Sequence, residues 1–131
     1  MLATQAKVFE QEFENELLEA EEYTRLVRKK TKITLQDESE ICFYFGKIAA
    51  FRTIQRKRLD SSQAADRSYA LHEEREKRHN EIKLAYDSPT VSREQLRQMW
   101  EDYHYISGQM IAYKTASVIL EKKEEVQRIF R

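Results

Sequence analysis

Two Glu-x-x-His pairs are the residues of this chain whose types and spacing could support chemistry. They stand in EKRH (76–79) and EDYH (101–104), two segments that we expect to be helical. Residues three positions apart share one face of a helix, so each pair could offer a carboxylate and an imidazole to the same metal ion. One hypothesis is therefore a helical-bundle metalloprotein. Its ligands would be Glu76, His79, Glu101, His104 and Glu40.

The surroundings of these pairs argue against a metal site. Metal sites depend on an apolar shell that controls the access of water, and HEEREKRHNE (72–81) contains no apolar residue. The first helix has no glutamate on its apolar line at the right height, because Glu21 and Glu22 both lie off that line. Glutamate is also frequent enough that a Glu three positions before a His arises readily by chance. We predict that the chain binds no metal and no cofactor.

Nucleophilic catalysis has less support than metal chemistry. Cys42 is the single cysteine, and it lies between Ile41 and Phe43 in an apolar stretch, which favours a buried and unreactive thiol. A glycine-rich loop that could bind phosphate is absent, since the chain has only two glycines. We predict no catalytic residue, and hence a protein that is not an enzyme.

The composition predicts an all-α fold. The chain of 131 residues has two glycines and one proline, too few for the frequent turns of a β-protein. Charged residues make up 35% of the chain, against about 25% in typical soluble domains. We predict one domain, a three- to four-helix antiparallel bundle of long helices with coiled-coil-like packing. The helices are expected at about 3–30, 34–59, 62–86 and 93–130.

Capping residues mark where three of these helices begin. Thr34 with Asp37 and Ser92 with Gln95 have the spacing of a capping box. Asp60 or Ser61 could cap the third helix, although helices two and three could also form one continuous rod. The polar segment 72–81 predicts a solvated rod, a peripheral helix or a surface that awaits a partner.

The charge pattern predicts how the first two helices pair. Helix one is acidic along most of its length and basic at its end (25–30), whereas helix two begins with Glu38 and Glu40 and ends in basic residues. Antiparallel packing places opposite charges beside each other along the whole pair. Each exposed ion pair contributes only about 0–1 kcal/mol, but the joint pattern favours this arrangement over a parallel one.

Both glycines lie in the middle of predicted helices, where glycine costs about 1 kcal/mol relative to alanine. Gly46 and Gly108 lie at similar heights if helices two and four run parallel in an up-and-down bundle. Each glycine is followed four positions later by a small residue, Ala50 or Ala112. We propose that the two helices cross closely here; the alternative is that long helices simply tolerate two unrelated glycines.

Nucleic acid is a possible but not a favoured partner. The net charge is zero, whereas proteins that bind phosphates usually carry a basic excess. The basic segments RLVRKKTK (25–32) and RTIQRKR (52–58) are helix ends, where the helix dipole already favours basic residues. In the antiparallel pair they lie at opposite ends and face acidic residues, so they do not form one stripe.

A membrane location is not expected. The longest stretch of helix four without a charged residue, Tyr103–Tyr113, is much shorter than the roughly 20 residues needed to span a bilayer. The N-terminal residues do not resemble a signal peptide, and a single cysteine is typical of a reducing compartment. We expect a cytoplasmic protein.

Helix four carries the functional prediction. It is long, and its apolar residues cover more than one narrow stripe, which is typical of a helix that is central in its bundle or shared with another subunit. We expect a non-enzymatic interaction or assembly protein that associates with itself or with another helical protein through this helix, with VQRIF (126–130) as an overhang. The predicted interface residues are Trp100, Tyr103, Met110, Tyr113, Leu120 and Phe130.

Overall fold

The computed structural model describes the backbone of residues 2–130 and the side chains of residues 10–130. This part of the chain contains no strand and forms four helices that pack against one another, so the all-α prediction is confirmed. The helices are α1 (Leu2–Arg28), α2 (Leu35–Lys57), α3 (Ser61–Tyr86) and α4 (Arg93–Ile129).

Reciprocal capping boxes begin three of the helices, and the sequence predicts two of them, those of α2 and α4. In α2, the Thr34 hydroxyl accepts a hydrogen bond from the Asp37 backbone N–H (3.1 Å), and Asp37 accepts one from the Thr34 backbone N–H (3.0 Å). Asp60 with Gln63 caps α3 in the same way, and Ser92 caps α4. These bonds satisfy backbone donors that the first turn of a helix leaves free.

Helices α2 and α3 are separate, which resolves the question that the sequence left open. Arg58 adopts a left-handed conformation (φ 51°) directly after α2. The backbone N–H of Leu59 then donates to the Ile54 carbonyl oxygen at 3.1 Å, and the Leu59 side chain packs against the core. Asp60 starts α3 immediately afterwards.

Helices α1 and α2 are antiparallel, and opposite charges meet along them as predicted. Lys30 at the end of α1 lies 3.0 Å from Asp37 at the start of α2. Arg52, near the end of α2, lies 3.0 Å from Glu21 in the body of α1. Hydrogen bonds from the Thr34 backbone and from Lys30 hold the pKa of Asp37 below its ordinary value.

Helices α2, α4 and α3 form a layer with α4 in the middle. Near their first turns, Glu38 of α2 and Arg97 of α4 lie 2.6 Å apart, so these two helices are parallel. The Ser68 hydroxyl of α3 donates to the Met110 carbonyl oxygen of α4 (3.0 Å). Gly108 faces α2. Met110 comes two residues after Gly108, which corresponds to a turn of about 200° around the helix. Helices α2 and α3 therefore lie on opposite sides of α4.

Helix α1 covers one face of this layer, where it packs on α2 and α4. The rings of Phe13 and Phe51 meet edge to face with centroids 5.1 Å apart. Leu17 and Ala20 belong to the same buried cluster as Ala116 of α4. The opposite face of the layer carries no further helix within residues 2–130.

The close approach of α2 and α4 is made by the two mid-helix glycines. A Cβ atom on Gly46 would overlap the carbonyl oxygen of Tyr105 and lie 3.0 Å from the backbone nitrogen of Gln109. A Cβ atom on Gly108 would overlap the carbonyl oxygen of Phe43. The neighbouring atoms are backbone atoms that a side-chain rotation cannot move, so only glycine fits at either position.

Helix α3 is a peripheral helix that packs on α4. Its buried apolar residues lie near its two ends: Ala64 on one side and Ile82 with Ala85 on the other. The polar segment 72–81 between them contacts α4 through partly buried polar side chains, including Arg75 and His79. This is one of the three arrangements that the sequence left open.

Candidate functional site

The two histidines of the Glu-x-x-His pairs lie around a pair of aromatic rings between α3 and α4. The His79 ring centroid lies 5.8 Å from that of Tyr103 and 6.5 Å from that of Trp100. His104 stacks on Trp100 with centroids 5.9 Å apart. The space beside each imidazole is therefore occupied by an aromatic ring.

The predicted metal ligands do not come together. Glu101 turns towards α2 and lies 3.4 Å from Arg97, which also pairs with Glu38. Glu40 accepts a hydrogen bond from Gln36 of its own helix, and Glu76 is exposed. Among the side chains that the structure describes, no group of three or more His, Cys, Asp or Glu residues could hold a metal ion. The metalloprotein hypothesis therefore lacks its site.

Positive charge lies close to these aromatic rings. The Arg75 guanidinium lies 5.1 Å from the Tyr103 ring centroid, and its Nε is buried without a hydrogen-bond partner. Burial lowers the pKa of His104, and the Arg75 cation lowers it further. The Trp100 indole N–H donates to the Tyr86 hydroxyl at 2.9 Å. This cluster ties α3 to α4, and a lowered histidine pKa keeps the imidazole neutral near pH 7.

The single thiol is half-buried on α2. Burial raises the pKa of the Cys42 thiol, and the carboxylates of Glu101, Glu38 and Asp102 raise it further. The thiolate is the reactive form of cysteine. The surroundings of Cys42 therefore oppose nucleophilic chemistry.

The basic segments lie at opposite ends of the α1–α2 pair, and much of their charge is matched. Arg25 pairs with Glu22, and Lys30 and Arg52 form the ion pairs with α2 and α1 described above. Arg28 lies over the Phe45 ring, 4.9 Å from its centroid. These side chains do not form one continuous basic surface.

Two of the six predicted interface residues are buried within the subunit. Met110 and Tyr113 are only 8% and 4% exposed, because α3 and α1 cover them within the subunit. They cannot contact a partner without a rearrangement of the core. Leu120 is partly buried against the same core.

Three of the predicted interface residues remain accessible. Trp100 and Tyr103 are partly exposed, and Phe130 is exposed at the end of α4 beside Ile129. Trp100 lines a groove of about 580 Å³ between α2 and α4. Leu35, the most exposed large apolar residue of α2, forms part of the same groove.

A second groove, of about 380 Å³, lies between α3 and α4. It is lined by Ile111 and Lys114 of α4 and by Tyr69 of α3, whose side chain is 68% exposed. Sequence reasoning missed Leu35 and Tyr69, and no local pattern marks them. It also missed the side of α4 that no other helix covers, although the residues along that side recur at regular steps of four and three positions.

Comparison with known protein families, with curated proteins and with solved structures finds nothing that matches the chain. Within residues 2–130, no helix is both long enough and apolar enough to cross a membrane.

Proposed function

We propose that this protein is a non-enzymatic assembly protein that associates with a second copy of itself through α4. One observation carries the proposal: α4 contacts all three other helices, yet one of its sides is covered by none of them within the described residues. That side presents Trp100, Ile111 and Val118. A central helix that exposes large apolar side chains is typical of a protein that packs against a partner.

The end of α4 adds a second accessible apolar surface. Ser61 at the start of α3 donates to Glu124 of α4 (2.9 Å from its hydroxyl), so the residues after Glu124 extend past the start of α3. Ile129 and Phe130 are exposed in this last turn. This overhang corresponds to the VQRIF segment of the sequence prediction and supports the same proposal.

We also propose where the protein is located and that it has no catalytic role. A single cysteine supports a reducing compartment, and we propose the cytoplasm. The raised thiol pKa of Cys42 and the separated Glu-x-x-His residues support a role without catalysis. The test below distinguishes self-association from the binding of another helical protein.

Native mass spectrometry of protein purified without a chelator tests the proposal. The expected result is a metal-free dimer or higher oligomer at micromolar concentration. A monomer at every concentration would contradict self-association, and a retained metal ion in stoichiometric amount would contradict the absence of a metal site. Deleting the residues after Glu125 removes the overhang but keeps the Ser61–Glu124 contact, and we expect it to weaken the oligomer more than it lowers the melting temperature.

A further inference from the structure

A line of residues runs along the open side of α4 with steps that alternate between four and three. This spacing is that of a coiled-coil seam, in which each step returns to the same side of the helix. The line begins at Arg93 and Arg97 and ends at Glu121 and Glu125. Its middle members are Trp100, His104, Ser107, Ile111, Lys114 and Val118. Ser107 is the one buried member (6% exposed), and its hydroxyl donates to the Tyr103 carbonyl oxygen at 2.9 Å.

The two grooves locate this line on the face of the layer away from α1. Trp100 and His104 line the groove beside α2, whereas Ile111 and Lys114 line the groove beside α3. The residues of α4 that face α1, such as Ala116, belong to the buried core instead. The line therefore follows the middle of the uncovered face between α2 and α3.

The two ends of the line carry opposite charges. Its first two members are arginines, Arg93 and Arg97, and its last two are glutamates, Glu121 and Glu125. All four are exposed. Arg97 already pairs with α2 and with its own helix. The other three take part in none of the ion pairs that the described residues form.

Charge complementarity selects an antiparallel copy of the same line as its partner. A second α4 turned end for end about the midpoint between Ser107 and Ile111 places Arg97 opposite Glu121, and Arg93 opposite the partner's other terminal glutamate. A parallel copy would instead place like charges beside each other at both ends, which is unfavourable. The symmetric arrangement contains each opposite-charge pair twice.

The middle of the line is compatible with the same register. The large Trp100 ring falls opposite the smaller Val118, and Ile111 falls opposite Ser107, whose small side chain is buried in its own subunit and does not protrude. No two large side chains therefore compete for one place. Lys114 falls opposite His104, which stacks on an aromatic ring in its own subunit. A neutral imidazole at that position accepts a hydrogen bond from an ammonium group rather than repelling it.

Helix α3 would extend this contact. Ser68 bonds to the Met110 carbonyl, so the neighbouring Tyr69 lies level with the midpoint of the line. Tyr69 is strongly exposed, and a two-fold axis at the midpoint would bring the Tyr69 side chains of the two copies towards each other. Tyrosine is among the residues enriched at protein interfaces.

We propose that two copies of the chain pack face to face through this line, antiparallel, with a two-fold axis between Ser107 and Ile111. The proposal rests on the proposed function, since it specifies the face and the register of self-association. Over the 33 positions from Arg93 to Glu125 the contact would be roughly 50 Å long, at 1.5 Å per residue.

Cysteine crosslinking tests the register. In a Cys42→Ser background, Arg97→Cys and Glu121→Cys are made as separate chains, mixed to allow exchange, and oxidised with oxidised glutathione. We expect a covalent dimer from the mixture and none from either chain alone, because equivalent positions lie far apart in the antiparallel pair. Crosslinking of a single variant with itself would overturn the proposal, since it would indicate a parallel pair.

Native mass spectrometry of the wild-type chain tests self-association separately from the antiparallel register. A dimer whose mixed cysteine variants do not crosslink would overturn the antiparallel register and leave the proposed function standing. A wild-type monomer at all concentrations would overturn both. A dimer that crosslinks only in the mixture supports both.

Charge reversal gives a second, independent readout. Arg93→Glu is expected to weaken dimerisation at least about fivefold, because each of two opposite-charge pairs becomes a repulsion. Adding Glu125→Arg to the same chain should restore the affinity. Lys77→Glu makes the same charge change at an exposed position of α3 and should leave the affinity unchanged. Failure of the second substitution to rescue the first would overturn the pairing.

Discussion

Helix α4 contacts its two neighbours in the layer by different means. Against α2 it is so close that backbone atoms face each other, because Gly46 and Gly108 have no side chains. Against α3 it is linked by side chains: Arg75 lies over Tyr103, and Ser68 bonds to the Met110 carbonyl. At the first contact the backbone atoms cannot move without separating the helices, whereas at the second the side chains can rotate.

This difference predicts where the structure tolerates change. Packed backbones cannot relax around an added atom, so the α2–α4 crossing should respond steeply to small substitutions. The α3–α4 contact is spread over many polar groups, each of which contributes a modest net free energy. Substitutions on α3 should therefore cost little unless they remove one of its few buried apolar side chains.

Gly108→Ala should have the largest effect. The added methyl group meets the Phe43 carbonyl oxygen, so the two helices must separate, and we expect a loss of about 3 kcal/mol in the free energy of unfolding, at the upper end of the cost of over-packing. Denaturant unfolding at fixed protein concentration measures it. Ala70→Gly, at an exposed site of α3, calibrates helix propensity at about 1 kcal/mol. A Gly108→Ala loss below that control would contradict the close crossing.

Ile82→Ala should have the next largest effect, because it removes a side chain that anchors α3. Ile82 is 1% exposed. Truncating a side chain this deeply buried lowers the free energy of unfolding by about 2–4 kcal/mol. Leu84→Ala is the matched control on the same helix, since Leu84 is 75% exposed and its truncation should change the stability by less than about 0.5 kcal/mol. Equal effects at the two sites would show that α3 does not pack on α4 through Ile82.

Glu124→Ala should have a moderate effect. The carboxylate accepts hydrogen bonds from the Ser61 backbone N–H (3.2 Å) and hydroxyl (2.9 Å) at the start of α3. Losing an acceptor at a helix N-terminus should cost about 1–2 kcal/mol. Glu124→Gln keeps an acceptor and should recover part of the loss. If Gln and Ala destabilise equally in thermal unfolding, the hydrogen bonds contribute nothing measurable.

The pH dependence of His104 should be the smallest effect. Burial, assisted by Arg75, lowers the folded-state pKa of His104 below its unfolded value. The unfolded state then binds the proton more readily, so stability is present above the unfolded pKa and is lost as the pH falls towards the folded one. Between about pH 7.5 and about pH 5.5, the melting temperature of wild type should fall more than that of His104→Gln. Equal falls would contradict this contribution.

Local rules were sufficient for the starts of α2 and α4 and for one helix pairing. Capping boxes act within a few residues, so Thr34 and Ser92 could be assigned from spacing alone. The α1–α2 pair could be predicted because the chain turns back after a short loop and its charges match. Neither inference needs knowledge of a third element.

The candidate site could be predicted only in part. Trp100 and Phe130 were expected on an accessible surface and are accessible, yet Met110 and Tyr113 on the same helix are buried inside the subunit. A helix with apolar residues on several sides does not indicate which side meets which neighbour. The Glu-x-x-His spacing likewise did not indicate the aromatic rings that separate His79 from His104.

The sequence by itself determined that this chain is helical, where α2 and α4 begin, and that α1 and α2 fold back on each other. These follow from composition, from bonds between near neighbours and from charges on adjacent helices. Only the tertiary structure decided that α4 lies in the middle of a layer, with α1 on one face and an open line on the other. The mid-helix glycines already predicted the α2–α4 crossing, and the structure confirms it. The sides of α4 that α1 and α3 occupy depend instead on packing between residues distant in the chain, which no local pattern indicates.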